Sequence, residues 1–352
     1  MSNTTFVVRN SYKGMKPLMN FVSVIVPCYN EEKNIGLLLE ALNQQFYPHE
    51  LIEIIIIDGL STDQTLHIIN DEKEKYKNLR IKVITNPQKS IPSALNIGIR
   101  NSTGDIIVRM DAHSIPDPNY IKFCVEDLNK EMGSNVGGRW IIIPGSKSKM
   151  GKCISLAASH PFGVGDAKYR YSSEAGYVDT VPFGAFYRDL IDEIGYFNED
   201  LLANEDYEFN VRIRNSGKKI YFDPRIKTQY IARDTIRNLS KQYWRYGYWK
   251  FRMLRKYPET LRWRQAIPPI FVAGIILLIL MAIFIPLVWF LLSTIILLYV
   301  FILIIGTLSV IDYKTESRCL FGTPVAIIVM HFSWGLGFLF SFANGLEKEK
   351  NG

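Results

Sequence analysis

The stretch IIIIDGLSTDQT, residues 54–65, joins an apolar run to a polar loop. Four consecutive isoleucines predict a β-strand buried on both faces, because a strand with one exposed face would carry alternating polar residues. The residues that follow, 61–77, show the spacing of a helix. A doubly buried strand followed directly by a helix is typical of an α/β protein, with a mostly parallel sheet covered by helices.

The same alternation extends on both sides of this stretch. In the helix predicted after the first strand, Ile35, Leu38 and Leu42 recur at helical spacing. Strands are predicted over 21–26, 51–57, 81–84 and 106–110, and helices over 31–46, 61–77 and 92–100.

Polar loops follow three of these strands, at 27–32, 58–63 and 111–113. Ligands of open parallel sheets bind beyond the carboxyl ends of the strands, so we expect these loops to meet at one crevice. Carboxylates from all three loops would repel one another there unless a cation or a hydrogen-bonding ligand were bound. The pattern therefore favours a nucleotide site.

Asp111 and His113 are a candidate metal pair. A carboxylate and an imidazole one residue apart, just past a buried strand, can both reach Mn²⁺ or Mg²⁺, which would bridge the phosphates of a nucleotide. Asp58 could accept a hydrogen bond from a base edge or a ribose hydroxyl. Each also has a structural interpretation: Asp111 as a turn cap before Pro116, and Asp58 as an Asx-turn or helix N-cap.

A further helix is predicted from Glu205 onward. We expect Asn204 to cap its N-terminus, Glu205 and Asp206 to suit the positive end of its dipole, and Gly217 to stop it. Acidic residues are favoured in any first turn, so this position alone shows no function. The functional interpretation makes Asp206 a general base, beside Glu205, that takes the proton of an attacking hydroxyl.

The C-terminal part of the chain is strongly apolar. Residues 265–311 contain no Asp, Glu, Lys or Arg over 47 positions, enough to cross a ~30 Å hydrocarbon core twice at ~20 residues per helix. Spans are predicted over 267–284, 287–311 and 321–342, with Pro286 at the first turn. The glycine-rich third segment has the alternative of a re-entrant or interfacial helix. These segments exclude a wholly soluble protein.

The net charge of +7 is concentrated in residues 233–264, which we name the basic collar. The collar holds ten Lys and Arg against two acidic residues, whereas the rest of the chain is close to neutral. Because the collar directly precedes the first apolar segment, we expect it to meet the anionic headgroups of membrane lipids, with no nucleic acid as partner.

The expected location is the cytoplasmic (inner) membrane, with several spans and a cytoplasmic catalytic domain. The first twenty residues lack the apolar run of a secretory signal, and the four cysteines show no metal or disulfide spacing. The predicted parts are an N-terminal extension (1–20), a cytoplasmic α/β domain (21–232), basic aromatic interfacial helices (233–264), a membrane region of about three helices (265–346) and a tail (347–352).

Seven sequence blocks follow one another between residues 21 and 247. They are VSVIVPCYNEE (22–32), IIIIDGLSTDQT (54–65), SALNIGI (93–99), RMDAHS (109–114), VPFGAFYR (181–188), IGYFNED (194–200) and NEDYEFNVRIRNSGKKIYFDP (204–224). In this order they resemble the family 2 glycosyltransferases, which have the nucleotide-diphospho-sugar transferase (GT-A) fold.

The sequences DAHS (111–114), PFGVG (161–165) and VDTVPFGAF (178–186) are most similar to the succinoglycan-biosynthesis (ExoA-like) branch of that family. The resemblance implies an inverting glycosyltransferase that moves a hexose, such as glucose, from a UDP-sugar to a hydroxyl of an undecaprenyl-diphosphate-linked glycan. It also implies a divalent metal, Mn²⁺ or Mg²⁺, a role in exopolysaccharide or cell-envelope polysaccharide biosynthesis, and contact with other polysaccharide assembly enzymes.

The resemblance also assigns roles to residues in the matching blocks. Asp206 would be the base, next to Glu205. Asp111 and His113 would hold the metal and the donor diphosphate. The uridine would be bound by Pro27, Tyr29, Glu31 and Asp58, and the acceptor by Pro182, Phe183, Gly184, Ala185, Gln242, Arg245 and Tyr246.

Three positions depart from the family pattern. His113 stands where a second metal carboxylate is usual, Gly59 where a second uridine-loop Asp is frequent, and Tyr246 where Trp is usual. Two other functions stay open: a polyprenyl-phosphate glycosyltransferase, and a non-catalytic nucleotide-sugar-binding subunit of a polysaccharide assembly complex. Glu205 and Asp206 favour transfer to a sugar hydroxyl, because such an acceptor must lose a proton.

Overall fold

A computed structural model of the protein describes residues 19–165, 167–309 and 319–350, with side chains as far as residue 345. Three predicted segments lie partly outside these ranges. They are the extension apart from residues 19 and 20, the end of the second span at 310–311, and the last two residues of the tail.

Nine strands of the described chain form one mixed sheet. They are β1 (Val22–Cys28), β2 (Ile52–Asp58), β3 (Arg80–Thr85), β4 (Ile106–Arg109), β5 (Ser114–Pro116), β6 (Asn135–Ile143), β7 (Gly176–Tyr177), β8 (Ala185–Tyr187) and β9 (Ile220–Ile231). The order across the sheet is β3-β2-β1-β4-β8-β6-β9-β5, and β7 pairs with β9. The β8 strand is antiparallel to both of its neighbours, β4 and β6.

The first four strands confirm the parallel arrangement predicted from the isoleucine run. Ile54 and Ile56 of β2 are buried in one hydrophobic cluster, whereas Ile55 and Ile57 are buried in another on the opposite face. The β1 strand pairs in parallel with both β2 and β4. Their carboxyl ends therefore meet at one edge of the sheet, which brings the three polar loops together.

Helices cover both faces of this sheet. Leu38 of α1 and Ile121 of α4 belong to one core cluster, and Leu95 of α3 and Phe209 of α8 belong to the other. The helices of this part are α1 (Ile35–Asn43), α2 (Thr65–Lys75), α3 (Ile91–Asn101), α4 (Tyr120–Asn129), α5 (Lys149–Ser159), α6 (Pro161–Val164), α7 (Leu190–Ile194) and α8 (Glu205–Asn215).

The first two helices begin four residues later than predicted. The loops before them are hydrogen-bonded to each other: the N–H of Asn30 donates to Ser61 Oγ at 2.9 Å, and the N–H of Glu31 donates to Thr65 Oγ1 at 2.8 Å. These bonds connect the ends of β1 and β2, a long-range pairing that helical periodicity does not encode.

Four long helices follow in the described chain: α9 (Ile236–Lys256), α10 (Trp263–Phe284), α11 (Leu287–Leu308) and α12 (Cys319–Lys350). Three stretches, Trp263–Phe284, Leu287–Leu308 and Cys319–Gly345, are long and apolar enough to cross a membrane. Pro286 lies between α10 and α11, as predicted. The third stretch belongs to one helix, so no re-entrant break occurs among its described residues.

The α9 and α12 helices touch at two glycines. A Cβ atom on Gly247 would overlap the carbonyl oxygen of Trp334, and one on Gly337 would overlap the carbonyl oxygen of Trp244. Only glycine permits such a close approach of two backbones. The collar helix α9 is therefore held directly against a candidate membrane helix.

Asn204 occupies the N-cap position of α8, but its side chain makes no capping hydrogen bond. Its backbone is left-handed (φ 64°), and its Nδ2 donates to the Tyr246 carbonyl of α9 at 3.3 Å. Asn204 is therefore the N-cap residue as predicted, but its side chain makes a contact between helices instead of a capping hydrogen bond. Gly217, with φ 79°, follows α8 as predicted.

Candidate active site

A cavity of about 710 Å³ opens beyond the carboxyl end of β4 and extends between α8 and α9 to α10 and α12. Its wall combines polar residues from the sheet edge with residues of the collar and of the apolar helices. Of the predicted site residues, the wall includes Asp111, His113, Pro182, Phe183, Glu205, Asp206, Gln242, Arg245 and Tyr246.

Asp111 and His113 lie between β4 and β5, and each side chain is 19% exposed. The Nδ1 atom of His113 hydrogen-bonds to Glu31 Oε1 at 3.0 Å. Burial raises the pKa of Glu31, but the hydrogen bond and charge of His113 outweigh it, so the pKa falls below its usual value. A carboxylate on Nδ1 fixes the imidazole ring and leaves Nε2 available for another ligand.

Arg109, the last residue of β4, is a site residue that the sequence analysis missed. Its buried guanidinium places Nη2 2.8 Å from Glu205 Oε1 and 3.3 Å from Asp111 Oδ1. Its Nε and Nη1 atoms have no hydrogen-bond partner among the described residues. Arg109 therefore links the β4 loop to α8 and places a positive charge at the cavity wall. The signal was an arginine at the end of an otherwise apolar strand, IIVR.

Glu205 and Asp206 form the first turn of α8 and differ in their surroundings. Glu205 is buried, and this burial raises its pKa although Arg109 opposes the shift. Asp206 is half-buried, and its Oδ1 accepts the N–H of Tyr207 at 2.7 Å. Asp206 forms no ion pair with a described residue, so its carboxylate is the one available to a ligand in the cavity.

Pro27, Tyr29 and Asp58 do not line this cavity; they lie at the neighbouring ends of β1 and β2. The side chain of Asp58 is buried and accepts the N–H of Ser61 at 3.1 Å, which is the Asx-type contact considered above. Tyr29 is 48% exposed. This region adjoins the metal pair through Glu31.

The loop at 182–185 presents only its first half to the cavity. Pro182 and Phe183 line the wall, whereas Gly184 and Ala185 do not. Ala185 is fully buried in β8, and a Cβ atom on Gly184 would overlap the side chain of Asn135. The second half of the loop therefore belongs to the sheet.

Gln242, Arg245 and Tyr246 of α9 all line the cavity. Gln242 Nε2 donates to the hydroxyl oxygens of Tyr246 at 3.0 Å and Tyr230 at 3.2 Å. Arg245 donates to the carbonyl of Leu202, in the loop before α8. These hydrogen bonds hold the α9 side chains against the rest of the site.

Trp140, Arg170 and Tyr230 form an aromatic and cationic part of the wall that the sequence analysis missed. The rings of Trp140 and Tyr230 stack at 4.2 Å with an interplanar angle of 1°. The Arg170 Cζ atom lies 5.1 Å from the centre of the Trp140 ring. Trp140 and Tyr230 are brought together by the pairing of β6 with β9, and Arg170 comes from a short 3-10 helix, Lys168–Arg170.

Comparison with known proteins classifies the chain. The family model described as glycosyl transferase family 2 matches residues 23–195. A Methanococcus voltae protein is 30% identical over 331 residues, which cover 93% of this chain and 98% of that protein. It is named dolichyl N-acetyl-alpha-D-glucosaminyl phosphate 3-beta-D-2,3-diacetamido-2,3-dideoxy-beta-D-glucuronosyltransferase. The chain belongs to glycosyltransferase family 2.

Two further comparisons agree with the predicted branch and fold of this glycosyltransferase. The succinoglycan biosynthesis protein ExoA of Rhizobium meliloti (strain 1021) is 24% identical over 247 residues, covering 70% of this chain and 73% of that protein. A mannosyltransferase from Pyrobaculum calidifontis, solved in complex with GDP-mannose and Mn²⁺, has a TM-score of 0.60 at 17% identity, covering 93% of this chain and 90% of that one. The GT-A fold is confirmed.

Asp111 and His113 of this glycosyltransferase suit a divalent cation that is shared with a ligand. No group of three or more His, Cys, Asp or Glu that could hold a metal occurs among the described residues. At nucleotide sites, Mg²⁺ commonly takes one or two protein ligands and completes its coordination with phosphate oxygens and water. A carboxylate and an imidazole whose other nitrogen is held by Glu31 provide such a pair.

Proposed function

We propose that this glycosyltransferase is an inverting enzyme that transfers a sugar from a UDP-sugar to a hydroxyl of a polyprenyl-linked glycan. The observation that carries the proposal is the continuity of the cavity. Its wall runs from Asp111 and Asp206 at the sheet edge to Pro268 of α10 and Trp334 of α12. One end suits a polar nucleotide-sugar, and the other suits an amphipathic acceptor.

The donor end of the proposed site would consist of Arg109, the metal pair and the residues at the ends of β1 and β2. Asp111 and His113 would hold Mn²⁺ or Mg²⁺, which when bound neutralises the charge of the diphosphate. The buried charge of Arg109 on the same wall would help to neutralise the diphosphate. The uridine would lie against Pro27, Tyr29, Glu31 and Asp58.

Asp206 is the proposed base of a single displacement. The acceptor hydroxyl attacks the anomeric carbon from the face opposite the diphosphate, and the bond to the diphosphate oxygen breaks as the new C–O bond forms. Asp206 takes the hydroxyl proton, and UDP leaves with the bonding electrons. One displacement inverts the configuration and needs one carboxylate. Glu205, held by Arg109, fixes the first turn of α8.

The acceptor is proposed to be a polyprenyl phosphate or diphosphate that carries a glycan. The M. voltae relative is named for a dolichyl phosphate that carries N-acetylglucosamine. The undecaprenyl-diphosphate glycan expected from the succinoglycan branch shares the isoprenoid chain, the phosphate and the sugar hydroxyl. Pro182, Phe183, Gln242, Arg245 and Tyr246 line the cavity and are the proposed acceptor contacts.

The donor sugar is proposed to be a hexose attached to UDP. The expectation from the succinoglycan branch is glucose, whereas the M. voltae relative is named for a modified glucuronosyl group. UDP-glucose and UDP-glucuronic acid derivatives are therefore the first donors to test.

The membrane arrangement follows from the acceptor. We propose that residues 21–232 form a catalytic domain on the cytoplasmic side, that 233–264 lie at the headgroups of the cytoplasmic membrane, and that 265–346 cross it. Ten Lys and Arg in the collar would attract anionic lipids and a lipid diphosphate. Other polysaccharide assembly enzymes would supply the lipid-linked acceptor and extend the product.

Transfer of labelled sugar from a UDP-sugar to an organic-extractable lipid tests the function and the base together. Asp206→Asn should keep UDP-sugar binding and lose about 10²–10⁴ in turnover, because it removes the base. Asp200→Asn, which changes an exposed carboxylate outside the cavity wall, is the matched control and should stay near wild type.

Asp111→Ala should instead lose Mn²⁺-dependent UDP-sugar binding. Wild-type transfer by both Asp206→Asn and Asp111→Ala would refute the site.

A further inference from the structure

Arg170 is a buried cation on the cavity wall with no role in the mechanism above. The residue is 9% exposed, and its Nη1 donates to the Ala158 carbonyl at 3.0 Å. The guanidinium lies over the rings of Trp140 and Tyr169, and no described carboxylate forms an ion pair with it. Arginine keeps its charge in proteins, and a buried charge without a counterion is costly. An anionic ligand in the cavity would supply the missing partner.

The described wall of the cavity carries more cations than carboxylates. Its cationic residues are Arg109, Arg170, Arg233, Lys241, Arg245 and Arg264, of which Arg264 is paired with Asp179 outside the wall, and its acidic residues are Asp111, Glu205 and Asp206. A nucleotide diphosphate with a divalent metal is close to neutral, so donor binding leaves this positive excess in place. The charge balance therefore points to a second anion in the same cavity.

The loop near Arg170 is fixed to two candidate membrane helices. The ring Nε2 of His160 hydrogen-bonds to the Gly306 carbonyl of α11 at 3.0 Å. The ring Nε2 of His331 on α12 donates to the Phe162 carbonyl of α6 at 2.8 Å. Arg170, bound to the end of α5 just before α6, consequently lies where the cavity meets the apolar helices.

We infer that Arg170 binds the phosphate of the lipid-linked acceptor, whose isoprenoid chain leaves the cavity past Phe162, Met330 and Trp334. The inference rests on the proposed function, because it takes a lipid-linked acceptor as given. A planar guanidinium binds phosphate through two parallel hydrogen bonds. The three apolar side chains on the same wall suit an isoprenoid chain.

The wall between Arg170 and the metal pair is short and aromatic. The ring centres of His113 and Tyr230 are 5.3 Å apart, and those of Tyr230 and Trp140 are 4.2 Å apart. The Arg170 Cζ atom is 5.1 Å from the centre of the Trp140 ring. Trp140 and Tyr230 both line the cavity between these two points. This aromatic wall suits a short glycan between the phosphate at Arg170 and the metal pair.

Binding of undecaprenyl phosphate to the full chain in detergent micelles tests the inference, with undecaprenol as the matched ligand that lacks phosphate. Arg170→Gln should lose about 10-fold or more in affinity for undecaprenyl phosphate, and keep its affinity for undecaprenol and UDP-sugar. Arg170→Lys preserves the charge, and with it the fold, but not the paired donors, so it should also weaken phosphate-dependent binding. Arg100→Gln removes an exposed arginine of α3, outside both the collar and the cavity wall, and should leave lipid binding near wild type.

Three results would overturn the inference. Equal losses for undecaprenyl phosphate and undecaprenol would make Arg170 a structural residue. Weaker UDP-sugar binding with unchanged lipid binding would assign it to the donor diphosphate. Competition by inorganic phosphate as effective as that of the lipid would indicate a free-phosphate site. If the phosphate-dependent lipid binding is observed but the wild type transfers no sugar, the proposed function fails and the assignment of Arg170 stands.

Discussion

Arg109 joins two carboxylates that the sequence places almost a hundred residues apart. Asp111 and Asp206 could be predicted as site residues because each follows a recognisable local pattern, a strand end and a helix start. The ion pairs of Arg109 with Asp111 and Glu205 could not be predicted, because they depend on how α8 packs beside β4. At this scale the sequence predicts which groups face the cavity, and packing determines their partners.

Replacing Arg109 by methionine is expected to destabilise the protein by about 3–5 kcal/mol, because Glu205 would be left as a buried carboxylate without a partner. The double variant Arg109→Met/Glu205→Leu removes both charges and should recover most of that loss. Denaturant unfolding in detergent measures the free energies. If the loss of unfolding free energy in the double variant equals the sum of the losses in Arg109→Met and in Glu205→Leu, the two residues are not coupled.

Lys250 of α9 is a buried lysine outside the cavity wall. Its Nζ lies 4.1 Å from the centre of the Tyr207 ring. Burial lowers the pKa of Lys250 to about 7; Asp179 opposes the shift, and Arg214 and Arg262 add to it. The folded chain therefore releases a proton near pH 7 that the unfolded chain holds up to the ordinary pKa of 10.5.

The stability cost of Lys250 depends on pH. Below about pH 7 the lysine is charged in both the folded and the unfolded chain, so the full cost of burying the charge is present. Between pH 7 and 10.5 the unfolded chain binds more protons than the folded chain, so the free energy of unfolding rises with pH. Lys250→Met is expected to stabilise most near pH 6, with a gain that shrinks towards pH 10. Lys256→Met, an exposed lysine at the end of α9, should show no such trend. A gain for Lys250→Met that is constant with pH would contradict the assignment.

The elements of the sheet were more predictable than their connections. The four isoleucines predicted a strand buried on both faces, and β2 has that environment. The helix starts after β1 and β2 were predicted too early, because the loops bond to each other. Trp140 and Tyr230 could not be found, since their stacking depends on the pairing of β6 with β9. Local periodicity specifies an element, whereas long-range hydrogen bonds set its ends and neighbours.

The contact between α9 and α12 can be tested at its glycines. Gly247→Ala is expected to cost about 1–3 kcal/mol, because the added methyl group would meet the Trp334 carbonyl. Gly274→Ala in α10 is the matched control: its Cβ meets no atom within 4 Å, and alanine is the better helix former, so it should be neutral or slightly stabilising. Thermal unfolding in detergent compares the two. Equal effects would mean that the helices do not touch at Gly247.

Over the whole molecule, one cavity joins the sheet edge to the apolar helices. The charge of the collar and the hydropathy of the C-terminal part were readable from composition alone. The position of these parts beside the proposed catalytic residues could not be predicted, because it depends on the α9–α12 contact and on the loop fixed by His160 and His331. The proposed reaction therefore requires that a polar donor and a lipid-linked acceptor bind in this same cavity.

Mass spectrometry of the lipid product, with fragmentation, tests this claim most directly. Membranes that contain the protein would be incubated with Mn²⁺, a panel of UDP-sugars, and undecaprenyl-diphosphate and polyprenyl-phosphate glycans. The account predicts a product one sugar heavier, whose fragments keep the original bond between phosphate and first sugar, because a glycan hydroxyl is the nucleophile. A sugar attached directly to bare undecaprenyl phosphate would contradict it, as would no product with any donor despite measurable UDP-sugar binding.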